Sequence, residues 1–288
     1  MSARYDRWTV ALAQFSPVLG DVPANLERHL QLIAQMRASG AQLGVFPELS
    51  LTGYYLRDLV GEVALPADAP PLQRLAQESK DLALVVGFVE EAADFRFYNT
   101  AAYFEGGALR HLHRKVYLPT YGMFDEERYF DAGERIAAFD TRFGRMALLI
   151  CEDLWHPSAP YLASQDGATT LIAIANSPGR GIGERNLDTA QDYESLIHAY
   201  SRFFQMYCLF ANRSGWEEGV TFWGGSAVAD PFGRMAARAP CLQEHLLVAN
   251  IDPMEVRRAR LSASLVGDER LDLTIRELER IRRERAGD

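Results

Sequence analysis

MALLICEDLWHP, residues Met146–Pro157, changes character at its midpoint: five apolar residues run straight into Cys151, and two carboxylates, a tryptophan and a His-Pro turn follow. An apolar run of that length reads as a strand buried on both faces. A side chain at the end of such a strand is held rigidly yet stays open to whatever lies beyond the sheet. The same arrangement recurs twice upstream. In FPELSLTGY (Phe46–Tyr54), Glu48 follows the apolar run Leu43–Phe46 and stands beside a proline, which cannot donate to a sheet ladder. In HRKVYLP (His113–Pro119), Lys115 follows Leu109–His113 and precedes a proline-containing loop. The next loop, YGMFDEERYF (Tyr121–Phe130), sets Asp125, Glu126 and Glu127 in a row among aromatics.

Outward from these segments, short β-branched and apolar runs alternate with helical patterns. Trp8–Phe15, Leu43–Phe46, Leu82–Phe88, Thr100–Phe104, Leu109–His113, Met146–Ile150, Thr170–Ala175, Tyr207–Ala211, Gly225–Ala229 and Leu246–Ile251 read as strands. Asn25–Met36, Pro71–Lys80, Pro157–Ser164 and Leu187–Phe204 read as helices. Several neighbouring strands have no helix between them, so the fold class is α/β with mixed sheets covered by helices. No repeat or linker divides residues 1–262, which read as one domain. Residues 263–288 form an extension: Leu271, Ile275, Leu278 and Ile281 recur at helical spacing within the charged stretch Asp268–Arg285. Such a helix lies on its own domain or reaches across a subunit interface, and the pattern does not choose between them.

Composition narrows the class of function. The 288 residues are 48% hydrophobic, enough for a sizeable core, and carry a formal charge of -9. An acidic chain is a poor match for nucleic acid or an anionic membrane, both of which reward clustered Lys and Arg. A small-molecule partner is expected. The N-terminus has no secretion signal, and no apolar run approaches the roughly 20 residues that cross a bilayer, so a cytoplasmic location is expected. Cys151, Cys208 and Cys241 lie too far apart for a disulfide framework or a zinc site. Cys208, in the apolar run Tyr207–Ala211, and Cys241, after a proline, read as structural.

Each chemical candidate has a bland reading of its own. Cys151 taken alone is a core residue at a strand end, Glu48 a solvated loop acid, Lys115 a surface charge, and the three acids a charged helix start. None of the six histidines sits in a cysteine-protease signature, and His156 reads as a turn residue. It is the recurrence of one reactive group per strand end that favours chemistry.

Taken together the segments resemble the nitrilase superfamily of carbon–nitrogen hydrolases. The resemblance spans VALAQFSPVLGD (Val10–Asp21), FPELSLTGY, RKVYLP, LLICEDLWHP, SAVADPFGRM (Ser226–Met235) and NIDPMEVRRAR (Asn250–Arg260). It implies a four-layer α-β-β-α sandwich, Glu48 as general base, Lys115 as the oxyanion-holding cation, Cys151 as nucleophile, and Glu126 as a second glutamate, with Asp125 and Glu127 as adjacent alternatives. It implies neither a metal nor an organic cofactor, and it implies a homodimer or higher homo-oligomer. YGMFDEERYF and ICEDLW are most similar to the glutaminase domain of glutamine-dependent NAD synthetase, which adds Tyr54, Phe124, Trp155, Ser177 and Arg185 as substrate contacts, with Arg180 as the alternative to Arg185. The ATP-dependent synthetase domain of that family has no counterpart in these 288 residues, so NAD synthesis by this chain alone is not expected. Three activities stay open under the resemblance: an amidase for glutamine or a related ω-amide, an ammonia-supplying subunit that depends on a separate synthetase, and a nitrilase, carbamoylase or acyltransferase.

Overall fold

A computed structural model describes residues 6–179 and 188–287. In chain order the first half holds β1 (Trp8–Gln14), α1 (Val22–Ala38), β2 (Leu43–Val45), α2 (Val60–Val63), α3 (Pro70–Glu78), β3 (Ala83–Glu91), β4 (Phe97–Glu105) and β5 (Ala108–Arg114). Then come β6 (Ala138–Thr141), β7 (Gly144–Ile150), α4 (Ser158–Gln165), β8 (Thr170–Ala175), α5 (Asp188–Phe203) and β9 (Tyr207–Asn212). The chain continues through β10 (Ser214–Glu217), β11 (Val220–Trp223), β12 (Ala227–Ala229), β13 (Met235–Arg238), β14 (His245–Ile251), α6 (Pro253–Ser262) and α7 (Leu271–Ala286).

Two six-stranded sheets form, ordered β14-β1-β2-β3-β4-β5 and β13-β12-β9-β8-β7-β6. Both are mixed in the same way: β1, β2 and β3 run parallel, as do β7, β8 and β9, and antiparallel strands extend each sheet at its edges. The period-2 rule explains how they stack. Val10, Leu12, Leu43, Val45, Val85 and Tyr103 of the first sheet share one core with Met146, Leu148, Ile150, Ile172 and Leu209 of the second. The alternate residues Ala11, Ala13, Leu84, Val86 and Phe104 face away, onto Leu32, Ile33 and Met36 of α1 and Leu72 and Leu75 of α3. On the far side Ala159 and Ala163 of α4 and Tyr193, Ile197 and Tyr200 of α5 cover the second sheet. The result is helix, sheet, sheet, helix, the four layers the resemblance implies.

The strands and helices expected from the sequence are present, with ends shifted by a few residues. Absent from the sequence reading are β6, β10, β11, β13, α2 and α6. All four of those strands are four-residue segments at or beyond the edges of the six-stranded sheets. The β10–β11 hairpin turns on Glu218 (φ 50°) and Gly219 (φ 81°), both left-handed as a tight two-residue turn demands. Helix α6 starts where Asp252 caps the Met254 amide and Pro253 takes the first turn, a sequence cue at Asp-Pro. Helix α7 buries none of its residues, and Leu271, Ile275 and Leu278 are exposed. Among the described residues no helix is long and apolar enough to cross a membrane, and no His/Cys/Asp/Glu cluster could hold a metal ion.

Candidate active site

Three strand ends supply the reactive groups, and two of them, at Glu48 and Cys151, leave their strands through a left-handed residue. After β2, Leu49 takes φ 45° and turns the chain so that the Glu48 loop lies across β3. Gly87 makes that crossing possible, since a Cβ there would fall 2.5 Å from Pro47 O and 2.5 Å from Leu49 N. After β5, Lys115 is fixed by its backbone N–H to Asn99 O (2.8 Å) and by its own carbonyl, which accepts from Gly133 N (2.7 Å). After β7, Cys151 sits at φ 46° and opens a short 3-10 turn, Cys151–Trp155. A non-glycine residue held there costs about 1–3 kcal/mol, which the surrounding structure must offset.

The side chains converge in the interior. Lys115 Nζ lies 2.9 Å from Glu48 Oε1 and 2.7 Å from Glu126 Oε1, and all three side chains are buried. Asn99 Nδ2 donates to Glu48 Oε1 (2.7 Å) and the Asn176 amide to Glu48 Oε2 (2.6 Å). Tyr54 Oη donates to Glu126 Oε1 (2.6 Å). Of the three neighbouring acids only Glu126 meets the lysine; Asp125 and Glu127 are exposed. Cys151 Sγ is 3.2 Å from Tyr193 Oη.

Electrostatics fix the resting charges. Burial works to lower the Lys115 pKa, but Glu126 and Glu48 together raise it well above its ordinary value, so the ammonium persists. Burial, reinforced by the Glu48 charge, pushes the Cys151 thiol well up despite the opposing pull of Lys115, so the resting sulfur carries its proton. Burial is also the first cause at Glu126, whose pKa rises from 4.5 to about 7 with Glu48 adding to it and Lys115 opposing it. A raised native pKa means the folded state holds the proton more tightly. The corresponding stabilisation is complete below pH 4.5 and is lost as pH climbs through about 7. Glu126→Gln removes this titration. The melting temperature of the wild type relative to the variant should therefore fall between pH 4.5 and 7.5 in a thermal-shift series; a constant difference would contradict the assignment.

Cys151 opens on a cavity of about 240 Å³ that Tyr121, Phe124, Glu152, Trp155, Ser177 and Tyr193 also line. Of the substrate contacts expected from the sequence, Phe124, Trp155 and Ser177 are therefore beside the cysteine. Ser177 Oγ accepts from Trp223 Nε1 (2.9 Å). Tyr54 is not among the residues lining that cavity: it packs edge-on against Phe124 (6.3 Å between ring centroids), donates to Glu126 and lines a second cavity of about 150 Å³ with Tyr55 and Tyr129. Arg185 and its alternative Arg180 lie outside the described residues. The sequence reading passed over Asn99, Tyr121, Glu152 and Tyr193. Asn99 has a signal, a fully buried amide in an apolar strand, and Glu152 follows the cysteine directly. Tyr193 has none, since on α5 it is spaced like any core residue.

A four-layer sandwich with a buried cysteine, a lysine and a carboxylate at its strand ends, and a second carboxylate on the lysine, defines the class as a nitrilase-type hydrolase of carbon–nitrogen bonds. The family model for carbon-nitrogen hydrolase matches residues 9–261, and the chain belongs to that family. It is 33% identical over 261 residues to a glutamine-dependent NAD(+) synthetase of Thermotoga maritima, covering 88% of this chain and 44% of that protein. The corresponding figures for the Acinetobacter baylyi enzyme are 28% over 252 residues, 88% and 46%. Among solved structures, the glutamine-dependent NAD+ synthetase of Acinetobacter baumannii superposes with a TM-score of 0.78 at 30% identity, over 87% of this chain and 47% of that one. Saccharomyces cerevisiae Nit3, of the nitrilase superfamily, gives 0.79 at 26% identity, over 92% and 97%. The chain spans about half the length of the curated relatives it matches.

Proposed function

We propose that the protein is a cysteine amidase that hydrolyses glutamine, or a closely related ω-amide, to the carboxylate and ammonia. The observation that carries this reading is the buried Lys115 held between Glu48 and Glu126, with Lys115 and Glu48 close enough for their charges to act on Cys151, which opens on the cavity. Because the thiol is protonated at rest, attack needs a base, and Glu48 fills that role. As sulfur bonds to the amide carbon, its proton passes to Glu48 and the carbonyl oxygen gains negative charge. Lys115 and a backbone N–H beside Cys151 hold that oxygen. Collapse of the tetrahedral species breaks the C–N bond, and Glu48 returns the proton to the departing ammonia. Water, deprotonated by the same carboxylate, then cleaves the thioester and frees the acid and the thiol. Glu126 and Tyr54 keep the ammonium aimed while Glu48 changes charge.

Glutamine is favoured over other amides by an acid that lines the cavity, Glu152. The Glu152 carboxylate is beside the nucleophile, accepts from Tyr121 Oη (3.1 and 3.0 Å) and stands 4.0 Å from His156 Nε2. A substrate with an α-ammonium group answers that charge. The named activity of the relatives points the same way. Their extra length supports a second version of the same reading, in which the ammonia formed here feeds a separate synthetase.

The test is ammonia release from a panel of glutamine, asparagine, simpler ω-amides, carbamoyl compounds and nitriles. Glutamine should lead asparagine by about tenfold or more in kcat/KM, the effect of one misplaced methylene plus a mispositioned charge. Turnover confined to nitriles or carbamoyl compounds would discard the amidase reading. Weak glutamine turnover that rises on adding a synthetase would favour the second version.

A further inference from the structure

Asp153 is fully buried, two residues past the nucleophile, and no step of the chemistry above employs it. Its two oxygens accept four hydrogen bonds. Oδ1 takes the amides of Val116 and Tyr117, both at 3.0 Å. Oδ2 takes the Ile150 amide at 2.9 Å and His113 Nε2 at 2.8 Å. An ionised carboxylate has no proton to give, so Nε2 of His113 must carry the hydrogen. The donors have a pattern: His113, Val116 and Tyr117 bracket Lys115 on both sides, and Ile150 immediately precedes Cys151. One carboxylate therefore fastens the backbone that carries the cation to the backbone that carries the nucleophile. All four of these hydrogen bonds come from those two segments.

We propose that Asp153 is a positioning residue that sets the separation of Lys115 from Cys151, and so the fit of the ammonium to the oxyanion formed at the substrate carbonyl. The proposal rests on the oxyanion role read for Lys115. Its physical basis is that an oxyanion donor acts only at hydrogen-bond range, and misplacement by about 1 Å costs on the order of 10²-fold in rate. Asp153 itself does not touch the substrate cavity. A general scaffold role and a positioning role separate in what each does to the sulfur. Alkylation of Cys151 by iodoacetamide is a displacement at an sp³ carbon with iodide leaving; no oxyanion forms, and the position of Lys115 beyond its charge is immaterial.

Asp153→Asn keeps the shape, sets an NH2 group against donors that now meet an acceptor oxygen, and leaves Lys115 and Cys151 themselves unsubstituted. Its kcat for glutamine should fall on the order of 10²-fold with KM within about twofold, while iodoacetamide alkylates Cys151 at a rate within about twofold of the wild type. His113→Asn is the second variant, for use where the first does not fold; it removes one of the four bonds and should lower kcat several-fold, again without slowing alkylation. Equal losses in kcat and alkylation, or no loss of kcat, would overturn the proposal. Lys115→Met run in parallel keeps the two ideas apart. If that variant retains kcat, the oxyanion reading fails. If it loses kcat and the Asp153 and His113 variants do not, the positioning role alone fails.

Discussion

Cys151→Ala should lower ammonia release from glutamine by roughly five orders of magnitude while leaving the protein folded. The size follows from the division of labour at the site. Without sulfur no thioester forms, and what remains is whatever Lys115 and the cavity do for direct attack by water, which in other nucleophilic hydrolases is a residual far below the native rate. The fold has little to lose. Ala tolerates φ 46° at residue 151 no worse than Cys does, and the sulfur's hydrogen bond with Tyr193 Oη is worth about 1 kcal/mol. Intact-protein mass during turnover provides the second readout: a transient acyl adduct on the wild type and none on the variant. Retention of more than about one per cent of the activity would move the nucleophile elsewhere. The other cysteines offer no ready substitute, for burial in β9 pushes the Cys208 thiol up and Cys241 lies at the surface.

What the sequence showed and what it hid divide along a physical line. Apolar runs that stop near Glu48 and at Cys151 are local patterns, set by burial on both faces of β2 and β7, and they survive in the order of residues; Lys115 instead follows the half-buried edge strand β5. The four layers follow from the same runs, since alternate residues of β1 and β3 face different cores. The short strands β6, β10, β11 and β13 owe their form to neighbours rather than to their own propensity, so their four-residue patterns are indistinct. The partners of the reactive groups were the least legible. Asn99 comes from β4, Tyr193 from α5 and Tyr54 from the Glu48 loop, and nothing in their spacing says that they meet. Resemblance alone assigned Tyr54 to the substrate; in the structure its phenol, kept protonated first by burial and then by the Glu126 charge, is a brace for that carboxylate.

Lys115→Met is expected to be damaging twice over, and the two effects separate with pH. Loss of a preorganised oxyanion donor costs about 3–4 kcal/mol of transition-state stabilisation, a factor of several hundred in kcat. Loss of the cation also strands Glu48 and Glu126 in a dry interior, and breaking a buried pair in this way costs about 3–5 kcal/mol of stability. The stability loss must depend on pH. Glu126 is raised to about 7 even with the lysine opposing, so without it the pKa climbs further. A carboxyl whose native pKa exceeds its unfolded one contributes its full stability below the unfolded value and loses it as pH rises through the native value. The melting temperature of Lys115→Met should therefore sit close to wild type at pH 5 and well below it at pH 8, with activity low at both. A deficit of the same size at both pH values would mean that the lysine acts by packing rather than by charge. Adding Glu126→Gln to Lys115→Met carries the separation further. Removing the second charge should restore part of the stability at pH 8, because an uncharged pair of similar shape is tolerated where a lone buried carboxylate is not. It should restore none of the activity, because no cation then faces the oxyanion.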